Sequence, residues 1–188
     1  MKLITPRLIL REPIIKDAKD AAEGLNNKKV SRYLLAISHP CTIKDAKTYI
    51  NHTYTERGKK PRKSYGFFIV LKSEKKVIGG ISVRNVDLFQ GTADIGYWLA
   101  EPYWRCGYGT ESAKAILDFA FNKLKVRKIK IPIYTKNEAS NALAKKLGAK
   151  LEGTLRKHCK VKCDGKIHDQ NVYGLFKNEW AKARKRLR

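Results

Sequence analysis

Tyr97-Trp98-Leu99-Ala100-Glu101-Pro102-Tyr103-Trp104-Arg105-Cys106-Gly107-Tyr108-Gly109-Thr110-Glu111 is the stretch from which the rest of the chain is most readily understood. It begins at the end of a strand-like run, Ala93 to Leu99, and leads into an amphipathic helix. In that helix Ala113, Ile116, Leu117, Ala120 and Leu124 recur at the spacing of a single buried face. Gly107 and Gly109 form a turn between the two that can aim several backbone N–H groups at one point, and the helix start adds the positive end of its dipole. A Cβ in such a turn would hold a phosphate away from the amides. The geometry is that of a pyrophosphate cradle, although G-x-G alone also describes an ordinary turn. A dinucleotide fingerprint needs a third glycine where Ser112 stands, and the Gly-Lys-Ser/Thr of a P-loop is missing.

Upstream, Leu3 to Arg11 reads as one extended opening strand, followed by helical candidates at Ile15–Leu25 and Lys28–Leu35. Thr42-Ile43-Lys44-Asp45 is a capping-box start for a helix ending near Gly58. Tyr65–Leu71, Val77–Val83 and Ala93–Leu99 are rich in β-branched and aromatic residues and form a three-stranded antiparallel meander. Gly79, Gly80 and Gly96 within it imply bulges or a close backbone approach. Downstream, Lys128–Tyr134 alternates like a strand, with Pro132 implying one unpaired position. Ala139–Leu147 reads as a short helix carrying Ala142, Leu143 and Leu147 and stopped by Gly148. Asp164-Gly165 signals a two-residue hairpin.

The chain has 188 residues, enough for one domain with a sizeable core. Its 41 Lys+Arg against 17 Asp+Glu give a net charge of +24, a field that attracts phosphate and other polyanions. Such a charge suits work near RNA or the ribosome, and equally a basic proteome or a hot or salty habitat. The basic residues are dispersed and not interleaved with aromatics as an RNA-stacking sheet requires. No run approaches the roughly 20 apolar residues of a membrane span, and the start has no signal-peptide pattern, so a cytoplasmic protein is expected. The four cysteines, Cys41, Cys106, Cys159 and Cys163, are too sparse for a disulfide framework. Cys159 and Cys163, near His158 and His168, lie four apart on a strand-like segment. That is about 13 Å along a strand, too far to share one ion, so no metal is expected.

Asp94-Ile95-Gly96-Tyr97-Trp98-Leu99 followed by Tyr103-Trp104 and Gly107-Tyr108-Gly109-Thr110-Glu111 resembles the GNAT acetyltransferase superfamily. Within it, the chain is most similar to the Rim-type branch, which acetylates protein N-termini, notably those of ribosomal proteins. Thr5–Arg11, Asn137-Glu138-Ala139-Ser140 with Leu147-Gly148-Ala149, and Leu151–Arg156 with Asp169 and Tyr173 extend the resemblance over almost the whole chain in the same order. Two positions depart from the branch pattern: Arg105 stands where it often has Gly, and Asp94 where it more often has Glu.

The resemblance implies an α/β (α+β) GNAT fold with a mixed, mostly antiparallel sheet of about seven strands flanked by about four helices. The sheet is expected to be splayed between the strand at 93–100 and the strand at 128–135. Residues 1–177 would form a single N-acetyltransferase domain and residues 178–188 a basic C-terminal tail, in a monomer or homodimer. Acetyl-CoA would be the cosubstrate, its pyrophosphate held by the backbone amides of Cys106, Gly107, Tyr108, Gly109 and Thr110 with charge from Arg105. Pantetheine would pair with the strand at Trp98 and Leu99, leaving an N–H near Leu99 for the thioester oxygen. Ser140 would protonate the departing thiolate, Asn137 would position the acetyl group or a water, and Asp94 would act as base through water. From the local letters alone, Ser140 equally suits a helix cap and Asp94 an outward-facing strand carboxylate. Asp169 and Tyr173 either line the acceptor groove or close the last hairpin. The expected acceptor is a protein N-terminal amine, that of a ribosomal protein in particular. The rivals are a small amine or polyamine, and a non-catalytic basic module associated with RNA or the ribosome.

Overall fold

The computed structural model describes residues 1–187. Eight strands form one sheet in the order β1-β2-β3-β4-β5-β6-β8-β7. They are β1 (Lys2–Ile4), β2 (Leu8–Arg11), β3 (Tyr65–Leu71), β4 (Lys76–Asp87), β5 (Thr92–Leu99), β6 (Lys128–Tyr134), β7 (Lys150–Lys160) and β8 (Ile167–Phe176). Every neighbouring pair is antiparallel except β5 with β6. The mixed, mostly antiparallel sheet expected of a GNAT fold is therefore present, with one strand more than expected. The extra strand arises because the opening segment breaks at Thr5-Pro6-Arg7 and folds back as a β1–β2 hairpin, the Thr5 hydroxyl accepting the Leu8 N–H at 3.0 Å.

Among the described residues six α-helices flank the sheet, against about four expected: α1 (Ala18–Leu25), α2 (Lys28–Ser31), α3 (Ile43–Gly58), α4 (Tyr108–Asp118), α5 (Glu138–Lys146) and α6 (Lys177–Arg186). Strand β3 is buried on both faces and divides the core. Phe67 and Ile69 join the cluster that includes Ala113, Ile116 and Leu117 of α4 and Trp180 of α6. Phe68 and Val70 pack with Ala18, Ala21 and Ala22 of α1 and with Ala46 and Ile50 of α3. The capping box at Thr42 forms as expected, its hydroxyl accepting from the Asp45 N–H at 3.2 Å. The helix after the glycine turn also forms, but its last turn widens to a π-turn at Phe119–Lys123.

Gly79, Gly80 and Gly96 mark close approach, as expected, and Gly79, opposite Ile69, also borders the register shift at Ile69/Val70; a second shift falls at Arg84/Asp87. A Cβ at Gly80 would stand 2.5 Å from Trp98 Nε1, so the glycine lets the indole lie flat across β4. Asp164-Gly165 is not a two-residue hairpin. The turn spans residues 161–166, closed by Val161 N–H donating to the Lys166 carbonyl at 2.9 Å. The segment expected as a basic tail is largely α6, docked through Trp180, which is 2% exposed and donates Nε1–H to Asp118 at 2.9 Å. A buried indole anchors a helix whose other residues are mostly charged. Arg188, the last of the expected tail cations, lies outside the described residues.

Candidate active site

Helix α4 begins at Tyr108 behind a turn with two left-handed residues, Arg105 at φ +62° and Gly107 at φ +83°. Such turns bring successive N–H groups to one side. Among the described residues the N–H groups of Cys106, Gly107, Tyr108, Gly109 and Thr110 have no acceptor; the first amide beyond them, of Glu111, bonds the Gly107 carbonyl at 3.1 Å. Five successive donors are thus open beside the positive end of α4. The left-handed backbone angle at 107 favours glycine, since a side chain there would be strained. At Gly109 a Cβ would meet only Leu99 and Leu143, at ordinary distances of 3.5 and 3.6 Å, so packing does not exclude a small side chain there.

A network the sequence did not reveal holds this turn in place. Glu111 accepts from the Thr5 hydroxyl at 2.6 Å, the Arg7 N–H at 2.8 Å and Arg7 Nε at 2.7 Å. Arg7 Nη1 reaches the Cys106 carbonyl at 2.9 Å, and the guanidinium lies 4.6 Å from the centre of the Tyr108 ring. The β1–β2 turn thereby ties down the cradle from residues a hundred positions away. Desolvation pushes the Glu111 carboxyl up, but the hydrogen bonds from Thr5 and Arg7 outweigh it and hold its pKa below the ordinary value.

Beside the cradle the sheet parts. Strands β5 and β6 pair only through Thr92, Ala93 and Asp94 with Lys128, Ile129 and Lys130, and then separate. The Ala100 N–H donates to Ile78 at 2.9 Å, toward β4. By alternation, Leu99 turns its N–H and carbonyl toward the opening. Its carbonyl accepts Trp104 Nε1–H at 2.8 Å. Of the two residues expected to meet pantetheine, Leu99 alone presents its backbone to the opening. The Trp98 backbone faces β4, and its indole packs over Gly80 and Gly24 among the α1 and α3 residues.

Across the opening, α5 starts with Asn137 as its cap, the side-chain oxygen accepting the Ser140 N–H at 3.3 Å. The capping role considered for Ser140 therefore belongs to Asn137. The Ser140 hydroxyl makes no hydrogen bond among the described residues, while its carbonyl accepts from Tyr97 at 3.4 Å. Asn141 and Ala144 are the buried residues of α5; of those expected, Leu143 packs partly buried against the core and Leu147 is buried, whereas Ala142 is exposed. Asn141 donates to the carbonyls of Asn137 at 2.7 Å and Tyr134 at 3.0 Å and accepts from Asn171 at 2.9 Å and Tyr173 at 2.8 Å. It fixes the start of α5 against β6 and β8. A buried asparagine hides an apolar periodicity, and only its spacing from Ala144 pointed inward.

Asp94 lies on the face of β5 away from α4. Asn85 Nδ2 donates to it at 2.7 Å and Lys130 Nζ stands at 3.3 Å, so it is a paired carboxylate at the vertex of the splay. Asp169 accepts the Lys157 N–H at 2.7 Å and Tyr173 is buried, which gives both a place in closing the final hairpin.

Independent comparison agrees with this architecture. The family model described as "Acetyltransferase (GNAT) domain" matches residues 7–150. The uncharacterized N-acetyltransferase YoaA of Bacillus subtilis is 30% identical over 175 residues, covering 93% of this chain and 96% of that protein. The ribosomal-protein-serine acetyltransferase of Escherichia coli is 28% identical over 95 residues, 50% of this chain and 53% of that one. Mycobacterium smegmatis RimJ, solved in complex with CoA-disulfide, superposes with a TM-score of 0.85 at 20% identity, covering 100% of this chain and 91% of that one. The chain belongs to the GNAT family and is an N-acetyltransferase.

Proposed function

We propose that this enzyme transfers acetyl from acetyl-CoA to the N-terminal α-amine of a protein, with a ribosomal protein as the specific expectation. The observation that carries the cosubstrate assignment is the run of open amides from Cys106 to Thr110 next to the unpaired edge of β5. Those amides suit a diphosphate, and Arg7 and Arg105 add positive charge around them. In the transfer, the neutral amine attacks the thioester carbonyl, a C–N bond forms, and the oxyanion is met by the Leu99 N–H. Collapse breaks the C–S bond and the thiolate takes a proton from the Ser140 hydroxyl, which regains one from water, while the amine proton passes to water or, through water, to Asp94. A preorganised donor to the oxyanion is worth about 3 kcal/mol.

Two physical arguments favour an α-amine. It titrates near pH 8, whereas a lysine side chain titrates near about 10.4, so the former needs little help from a base. Asp94 is already engaged by Lys130 and Asn85, which suits the acceptor that needs less help. A net charge of +24 also repels polyamines and aminoglycosides at long range. The ribosomal-protein expectation draws on the Escherichia coli relative and on the attraction of a basic surface to ribosomal RNA. The test is an acceptor screen with labelled acetyl-CoA, using peptides that differ only in their first two residues alongside spermidine and other small amines. Turnover of peptides blocked at the N-terminus but carrying lysine, or of spermidine alone, would refute the assignment.

A further inference from the structure

Arg84 lies opposite Asp94, at the point where β5 and β6 part, and neither the sequence motifs nor the acetyl-transfer steps above use it. It pairs across the β4–β5 ladder with Asp94, on the face away from α4. The residue is exposed, with its guanidinium lying along β5: a Cβ at Gly96 would be 2.6 Å from Nη2 and 3.1 Å from Cζ. Glycine is costly inside a strand, and here its absent side chain makes room for the cation. The Arg84 charge also lowers the pKa of Tyr49 on α3 and of Tyr134 at the end of β6, against the stronger upward push of burial, which carries Tyr134 to about 12. The guanidinium therefore lies within electrostatic reach of both walls of the opening.

Among the described residues Arg84 has no ion-pair partner within 4.0 Å, and none of its donors has an acceptor. Asp94, its cross-strand neighbour, instead pairs with Lys130 at 3.3 Å and accepts from Asn85 at 2.7 Å. A planar guanidinium with all its donors free is suited to pairing bidentately with a carboxylate.

We propose that Arg84 recognises the acceptor, pairing with a carboxylate carried close to the reacting amine, so that the enzyme selects acidic N-termini. This rests on the α-amine reading above and narrows it. The same arrangement aids the chemistry, because an ammonium brought beside Arg84 and Lys130 is disfavoured relative to the neutral amine.

The experiment compares kcat/KM for matched acceptors with acetyl-CoA and the full chain: a Ser-Asp peptide against its Ser-Asn counterpart, and free serine against serinamide. The wild type should prefer the Asp peptide by about tenfold, the scale of a hydrogen bond to a charged group. Arg84→Ala should bring that ratio near one and Arg84→Glu should invert it. The ratio is internal to each variant, so a partly unfolded preparation does not mimic the result. Equal turnover of the members of every pair by the wild type, or a ratio unchanged in Arg84→Ala, overturns the proposal. If serine is preferred over serinamide in an Arg84-dependent way and no peptide is acetylated, Arg84 reads a free amino acid and the protein-acceptor assignment fails instead. If no acceptor turns over, calorimetry of the Ser-Asp and Ser-Asn peptides on the CoA-loaded protein decides: Arg84-dependent preference for the acidic one sustains the proposal, and its absence overturns it.

Discussion

Ser140 and Asn137 show how two residues of one short motif divide their work. With Asn137 capping α5, the Ser140 hydroxyl is free to act as a proton donor. Ser140→Ala is expected to lower kcat while leaving CoA affinity close to wild type; equal loss of both, measured by steady-state kinetics and calorimetry, would return the residue to a structural role. Asn137→Ala removes the cap and should cost about 1 kcal/mol of stability in denaturant titration. Glu111 gives a pH signature. Its pKa is depressed in the folded state, so the stability it contributes is complete above the ordinary glutamate value and is lost as pH falls through the lowered one. The melting-temperature gap between wild type and Glu111→Gln should accordingly be largest near neutrality and shrink below about pH 4.

At the level of elements, the outcome turned on which residues approach each other across strands. Gly80 opposite Trp98 lets β4, β5 and α1 close around one indole, and Gly80→Ala should cost about 1–3 kcal/mol by overpacking while leaving Gly79 and the cradle unaltered in sequence. Helix α6 is bound by Trp180 and by Arg184, whose Nε donates to Asp118 at 2.9 Å. Trp180→Ala should lose about 3–5 kcal/mol, and deletion of residues 178–188 should lower the melting temperature sharply. A free basic tail would leave it unchanged. Composition concealed this, because one tryptophan among lysines and arginines does not produce a visible apolar stripe.

For the whole molecule, the excess positive charge is spread over the surface and acts on any anionic substrate. The value of kcat/KM for acetyl-CoA should therefore fall as ionic strength rises from about 10 to 500 mM, the range over which screening shortens from about 30 Å to a few ångströms. A rate insensitive to salt would mean that encounter is not steered. The sequence by itself determined the order of elements between the opening strand and the last hairpin, the glycine turn at the head of α4 and the family to which the turn belongs. Local periodicity, capping letters and turn glycines report on conformation within a few residues of themselves. It left open which partner each polar group takes: Glu111 with Thr5 and Arg7, Asn141 with Tyr173, Asp94 with Lys130, and Arg84 with none. Those choices join residues far apart in the chain, and only the closing of the sheet, with β5 and β6 parallel and then parted, brings them within hydrogen-bonding distance.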